Sequence, residues 1–288
     1  MSETSFICYN GEFFPSNKPL FYHQNRAFRY GDGLFESMRA IGTSVPFLNQ
    51  HLDRLKKGAA FLQMEIPDAF NHSFVSKHIS HLINANKQFG GSRIRLGIFR
   101  KDGGSFFPNT NKIDFYIESS PLDSANFQIN SKGLVVDVFS ELTKPISDFN
   151  QLKSVHSLLY IKAALNAQSR NLDDCLILNE HKNIIEATSS NLFIFSDNNL
   201  ITTSISEGCL PGIMRNIIIN LALKEKITVY DDVCLNETDL MKADEVFLTN
   251  AVQGIKWIVA FKSRRYFSKT AKKLSVLLSD YANEVNSI

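Results

Sequence analysis

Lys153 lies in the segment FNQLKSVHSLLYIKAALNAQ, with Leu152, Val155, Leu158, Leu159 and Ile161 around it. A lysine in such apolar company is partly desolvated, which disfavours the ammonium and makes the amine nucleophilic. Schiff-base enzymes need that property; a solvated lysine at a helix start fits the segment as well. Glu186, in KNIIEATSSNLFIF, interrupts an apolar strand and precedes small polar residues. A carboxylate facing a pyridinium nitrogen would keep that ring protonated and make it a better electron sink; a glutamate at a strand end is the plainer alternative. The run SEGCLPGIMRNIIINLAL reads as a helix start, with Pro211 in the first turn and Gly212 beside it. There the backbone N–H groups of Gly212, Ile213 and Met214 would be open to an anion, although an ordinary buried helix has the same pattern. Arg54, in LNQHLDRLKK, shares a helix with Leu52 and Leu55. Its planar fork of donors suits a phosphate or a surface carboxylate equally.

Elements must position these residues. A short hairpin is expected at 5–9 and 12–14 around Asn10-Gly11. A glycine-containing turn at Gly31–Gly33 then leads into an apolar strand, and Val45–Leu48 reads as another short strand. Leu52, Leu55, Ala59 and Leu62 recur at helical spacing from Asn49, and Asn71–Asn86 gives a second amphipathic helix. Strands are expected at 92–100 and 113–118, with a turn at Lys101–Gly104. The polar segment 120–125 reads as an interdomain linker. It divides a smaller N-terminal domain, 1–119, from a larger C-terminal one, 126–288. The second half should contain a strand at 133–139 and a helix over Lys153–Ser169. Strands follow at 174–179, 184–187, 191–195 and 200–202, then a helix from Pro211 to about Lys224. A strand at 245–249 and a helix at 268–284 complete it. The class is α+β in two unequal lobes.

Composition excludes several functions. The 288 residues carry 31 basic and 29 acidic side chains, a net charge of +2, too balanced for nucleic acid or an anionic membrane. The basic run from Lys262 to Lys273 reads as a solvated face. Cys8, Cys175, Cys209 and Cys234 form no C-x-x-C pair and no disulfide framework. His78 and His81 lie three apart on a helix without an acidic or cysteine partner, so no metal site is expected. No stretch reads as a membrane span or a leader, and a cytoplasmic location is expected. The Gly-rich turns at 31–33 and 102–104 lack the G-x-G-x-x-G form of a dinucleotide site.

Taken in order, RAFRYGDGLFESMRA, HLDRL, LKSVHSLLYIKAAL, IIEATSSNLFIF, GCLPGIMRNII and ADEVFLTNAVQGI resemble the class-IV aminotransferase family over roughly residues 5–260. That family holds branched-chain and D-amino-acid aminotransferases and 4-amino-4-deoxychorismate lyases. The resemblance implies the two-domain, fold-type IV, D-amino-acid-aminotransferase-like architecture and pyridoxal 5'-phosphate (PLP) as cofactor. It implies that Lys153 forms the Schiff base and moves protons, that Glu186 meets the ring nitrogen, and that Arg54 binds the phosphate with the helix-start amides of Ile213 and Met214. Ser189, Asn250 and Ala251 fall in the remaining cofactor-binding blocks. Ala251 stands where transaminases place a phosphate-binding threonine and can offer only backbone. Tyr30, Arg95 and Arg100 fall at or near substrate-facing positions. A homodimer acting on a small amino substrate is implied as well.

The same lysine and glutamate serve transamination and β-elimination, so other blocks must choose. LTNAVQGI resembles the lyase version more than the transaminase Gly-Thr-Ala-Ala, and IFRKDGGSF resembles a turn common in lyase members. His156 stands where an asparagine is usual and Trp257 where proline is frequent. The leading expectation is an aminodeoxychorismate lyase that releases 4-aminobenzoate and pyruvate. The competing ones are an amino-acid transaminase and a non-catalytic small-molecule-binding relative.

Overall fold

The computed structural model describes residues 5–286. The chain folds as two compact units, each with its own sheet and core. Unit 1 comprises residues up to Asn126 together with Leu152–His156 and the C-terminal residues from Ala282. Unit 2 comprises Phe127–Gln151 and Ser157–Tyr281.

Unit 1 contains β1 (Phe6–Tyr9), β2 (Glu12–Pro15), α1 (Arg26–Tyr30), β3 (Gly33–Ile41), α2 (Leu48–Phe61), α3 (His72–Ala85), β4 (Gly91–Arg100) and β5 (Ile113–Leu122). The strands form one antiparallel sheet in the order β2-β1-β5-β4-β3. The expected Asn10-Gly11 hairpin is present, with φ positive at both turn residues. α3 starts where Asn71 accepts a hydrogen bond from the Phe74 N–H, an N-cap. α1 is stopped by Gly31 in the left-handed region, φ 69°. Leu52, Leu55 and Ala59 of α2 and Val75, Ile79, Leu82 and Ile83 of α3 bury against Leu34, Met38, Ile94, Leu96 and Ile117 of the sheet. This is the hydrophobic stripe that the helical spacing announced.

Two sequence expectations change here. Val45–Leu48 is not a strand: Phe47 turns the chain in the left-handed region, φ 65°, and Leu48 already opens α2. Leu48 shares the helical period of Leu52 and Leu55, and four apolar residues cannot by themselves distinguish the two periods. The polar segment after residue 119 begins inside β5, which pairs with β4 as far as Leu122 opposite Gly91. Pro121 stands near the end of this strand, opposite Ser92 of β4.

Unit 2 contains β6 (Leu134–Lys144), α4 (Leu158–Ser169), β7 (Asp174–Asn179), β8 (Ile184–Ala187), β9 (Asn191–Ser196), β10 (Asn199–Thr203), α5 (Ile213–Lys224), β11 (Thr228–Val233), α6 (Glu237–Lys242), β12 (Glu245–Asn250), β13 (Gly254–Phe261), β14 (Arg264–Arg265) and α7 (Lys269–Asn286), whose last residues group with unit 1. Its main strand order is β11-β10-β9-β12-β13-β6-β7-β8. The sheet closes on itself because β8 also pairs β9, at Glu186 opposite Asn191. Val136, Leu176, Leu192, Ile194, Val246, Leu248 and Ile258 form one apolar core. Phe139, Cys175, Ile177 and Ile185 pack with Ala163 and Ala167 of α4 in another.

The helix expected from Lys153 begins only at Leu158. Lys153–Val155 is instead extended and grouped with unit 1. β3 is an edge strand, and its unpaired N–H and C=O groups capture this segment. β11, α6, β13 and β14 were not anticipated. α6 does carry a local signal, a capping box in which Asn236 and Asp239 satisfy each other's backbone N–H groups. Both units mix helix and strand, so the α+β class holds. Among the described residues no helix is long and apolar enough to cross a membrane.

Candidate active site

The residues singled out in the sequence divide between the two units, and each group has its own geometry. In unit 1, Lys153 is fixed by pairing with the edge of β3. The Phe35 N–H donates to the Lys153 carbonyl at 2.9 Å, and the Val155 N–H donates to the Gly33 carbonyl at 3.1 Å. A main chain tied on both sides of a residue leaves only side-chain torsions free. The Lys153 Nζ lies 4.7 Å from the centre of the Phe35 ring. The Arg95 guanidinium lies 3.8 Å from the same ring centre. Both side chains thus meet one aromatic ring.

Register explains the grouping. Arg95 of β4 stands opposite Ser37 and Gly97 opposite Phe35. Tyr116 and Glu118 of β5 stand opposite Gly97 and Arg95. These residues share one sheet face because directly paired strand residues point the same way. Gly97 lets Tyr116 lie across it, since a Cβ there would fall 2.2 Å from the ring. The Tyr116 hydroxyl accepts from Arg95 Nε at 2.9 Å, and Glu118 lies 3.9 Å from the same nitrogen. Arg95 is partly exposed, so this face can offer a cation to a carboxylate.

Arg54 sits elsewhere. Glu36 alternates with Phe35 and therefore faces α2 and the core. Arg54 Nε donates to Glu36 Oε1 at 2.8 Å and its terminal nitrogen to Oε2 at 2.5 Å. His51 Nδ1 lies 2.7 Å from Glu36 Oε2. Glu36 and His51 are wholly buried. Burial pushes the Glu36 carboxyl up, but Arg54 and His51 outweigh it and hold it at about 2. Burial, the main influence on His51, pushes that imidazole down, against the pull of Glu36. The fork read as a phosphate grip thus clasps an internal carboxylate along one edge.

The three substrate-facing expectations separate. Arg95 meets the same Phe35 ring as Lys153. Tyr30 is partly exposed at the end of α1, its ring near Phe106 and the buried Arg26. Arg100 is turned inward. It is 6% exposed and donates to Asp32, Asn111 and the Leu62 and Gln63 carbonyls. Asp32 also accepts from Arg26, which in turn holds the Gly103 and Ser105 carbonyls. The Arg100 donors are thus engaged inside the unit by Asp32, Asn111 and the two carbonyls. His156 packs over Gly31.

In unit 2, Glu186 is buried, 4% exposed, at the closure of the sheet. Lys144 Nζ and the Tyr160 hydroxyl each donate to its Oε1 at 2.7 Å. The Leu210 N–H donates to Oε2 at 3.0 Å. Burial, and then the Glu186 carboxylate, push the Tyr160 phenol well above its ordinary value, so it remains a donor. Burial likewise pushes the neighbouring Cys209 thiol up to about 11, which keeps it inert.

Two residues beyond Leu210 the chain enters α5. Gly212 is its N-cap and supplies no side-chain cap. A Cβ on Gly212 would lie 1.9 Å from Asn191 Oδ1, so the backbone approaches β9 as only glycine permits. Ile213 and Met214 are buried, and their N–H groups have no acceptor among the described residues. Buried unpaired donors at a helix start fit an anion. Together with the oriented Glu186 carboxylate, they fit a cofactor with a phosphate at one end and a basic ring nitrogen at the other.

The remaining expected residues lie in two turns. Ser189 is exposed between β8 and β9. Asn250 Oδ1 accepts the Val252 and Gln253 N–H groups, and its Nδ2 donates to Ser190. Asn250 thus builds the β12–β13 turn that carries Ala251. Trp257 ties β13 to Asn130 through three hydrogen bonds. Among the described residues no cluster could hold a metal ion.

Sequence reasoning missed Glu36, His51, Lys144 and Tyr160. Glu36 did carry a signal, because it shares parity with Leu34, Met38 and Ala40 on a core-facing strand. Lys144 carried none, for a lysine before Pro145 reads as the solvated end of a strand.

Residues 33–261 match the family described as Amino-transferase class IV. An aminodeoxychorismate lyase of Bacillus subtilis is 25% identical over 98% of this chain and 95% of its own. A D-alanine aminotransferase of Listeria monocytogenes is 28% identical over 79% of this chain and 77% of its own. A branched-chain amino acid aminotransferase from Thermobaculum terrenum, solved in its PLP form, shares the fold. Its TM-score is 0.85 at 19% identity, covering 99% of this chain and 95% of its own.

Proposed function

The chain belongs to the amino-transferase class IV family, and we propose that it is a PLP-dependent enzyme that removes the Cα proton of a carboxylate-bearing amino substrate. The observation that carries this reading is the placement of Lys153: strand-pinned, with its amine over the Phe35 ring that Arg95 also meets. Bound PLP would supply an electron sink for the pair left at Cα. Lys153 would hold the cofactor, and its Nζ, released when the substrate amine takes its place, would receive the Cα proton as general base. Arg95 receives a substrate carboxylate through the guanidinium it rests on Phe35. In unit 2 the Ile213 and Met214 N–H groups take the cofactor phosphate, and Glu186 takes the ring nitrogen. Arg54, oriented by Glu36, is read as a further phosphate ligand.

For the reaction itself, the reading is β-elimination from 4-amino-4-deoxychorismate, giving 4-aminobenzoate and pyruvate. Its support is the β12–β13 turn, which Asn250 closes from within, with alanine where a transaminase carries threonine. The second reading, an amino-acid transaminase, is favoured by relatives such as the D-alanine aminotransferase and by a catalytic pair that serves both reactions. A homodimer is part of either reading.

Two measurements test this. Purified protein given PLP should develop a visible absorbance band that Lys153→Ala lacks; no band in the wild type refutes the PLP reading. Incubated with aminodeoxychorismate, the enzyme should release pyruvate. Conversion of bound PLP to its amine form by common amino acids, without pyruvate release, would replace the lyase with the transaminase.

A further inference from the structure

Three donors converge on Glu186, and they divide unequally between its oxygens. Oε1 receives the Lys144 ammonium and the Tyr160 hydroxyl, both at 2.7 Å, while Oε2 receives only the Leu210 N–H. A carboxylate oxygen accepts along two lone-pair directions. Oε1 is therefore filled by the protein itself. Oε2 retains one acceptor position, and among the described residues no other donor reaches it.

We propose that Lys144 and Tyr160 are positioning residues that lock the Glu186 carboxylate so that Oε2, and not Oε1, receives the N–H of the cofactor ring. The proposal rests on the reading of Glu186 as the ring-nitrogen partner. The three donors come from separate elements: Lys144 ends β6, Tyr160 lies on α4, and Leu210 precedes α5. A carboxylate held from three directions cannot exchange its oxygens by rotating about its last torsion without breaking charged hydrogen bonds. Lys144 is itself 7% exposed, and its ammonium lies 5.6 Å from the Tyr160 ring centre, so the two donors also brace each other.

A purely structural ion pair is the competing explanation. Buried pairs are often replaceable by apolar residues with little loss of stability, so stability alone would not demand two donors on one oxygen. The Leu210 N–H carries the arrangement directly to the anion site, since Gly212 and the open N–H groups of Ile213 and Met214 follow within four residues. The orientation of Glu186 and the helix start that would take the phosphate are thus set by one stretch of chain.

The test uses the full-length protein and PLP, with two readouts: the dissociation constant from absorbance titration, and the visible circular dichroism of the bound cofactor. Lys144→Met should raise the dissociation constant by about tenfold or more, the scale of a lost charged hydrogen bond. Tyr160→Phe should raise it by about threefold to tenfold. Both should weaken the dichroic band, and Lys144→Arg should restore most of the affinity and of the band. Tyr160→Phe retains the ring and serves as the deciding variant if Lys144→Met does not fold. Wild-type affinity and dichroism in Tyr160→Phe and in folded Lys144→Met, set beside a clear loss in Glu186→Gln, overturn the positioning role alone. Unchanged PLP binding in Glu186→Gln overturns the reading of Glu186, and the positioning role with it.

Discussion

Replacing Glu36 by glutamine removes the anion from a buried cluster while keeping its shape. In the wild type, both oxygens of one carboxylate accept from Arg54, and Oε2 also meets His51 at 2.7 Å. Glu36 has no solvent exposure, and the Arg54 side chain has 12%. Breaking a buried ion pair by neutralising one partner costs about 3–5 kcal/mol, because the other charge stays buried without compensation. The slight exposure of Arg54 places the loss toward the lower end, about 3 kcal/mol. An exposed pair would lose at most about 1 kcal/mol, so the two cases are separable. With roughly 2–4 °C of melting temperature per kcal/mol for a chain of this size, Glu36→Gln should melt about 6–12 °C lower. The assay is thermal unfolding of the PLP-free protein followed by circular dichroism, so that lost cofactor does not add to the effect. Adding Arg54→Met to Glu36→Gln should recover part of the loss, since no unpaired cation remains. A melting temperature within about 2 °C of wild type, or a double variant that loses the sum of the two single effects, would show that this cluster is not the buried ion pair described.

The same cluster sets an acid limit. The unfolded His51 takes up a proton near 6.5 while burial disfavours that proton in the folded chain, so stability falls as pH drops below 6.5, by up to about 1.4 kcal/mol per pH unit. Glu36 acts in the same direction: its folded carboxyl titrates at about 2 rather than 4.5, so its contribution is present above 4.5 and is lost as pH falls toward 2. Urea midpoints measured from pH 7 to 5 should decline less steeply in His51→Gln than in wild type; equal slopes contradict the assignment. Gly212→Ala forces Asn191 away from a contact at 1.9 Å and should cost about 1–3 kcal/mol and weaken PLP binding by about tenfold; denaturant melts and PLP titration check both. Arg95→Gln should raise the substrate KM by about tenfold or more with little change in melting temperature. Arg100→Gln should do the reverse, since its partners are Asp32, Asn111 and two backbone carbonyls.

Local physics made much of this protein legible in its sequence. The Asn10-Gly11 hairpin, the apolar stripes of α2 and α3 and the glycine start of α5 depend on neighbours a few residues away, and each appears where its spacing put it. The candidate lysine, glutamate and helix-start amides were legible because their order along the chain matches a family. Tertiary structure decided what those residues touch. Lys153 reads as a helix start, yet it pairs with β3, because an edge strand more than a hundred residues earlier offers open hydrogen-bonding groups. Arg54 and Arg100 look alike as free cations, yet one clasps Glu36 and the other Asp32, choices fixed by strand parity and by packing between elements. Lys144 and Tyr160 meet on Glu186 because β6, β7 and β8 are successive strands of one sheet while α4 packs across β6 and β7. Periodicity and local turn chemistry are written in the sequence at short range. Which oxygen accepts which proton depends on contacts between residues far apart in it, and only the folded chain brings those together.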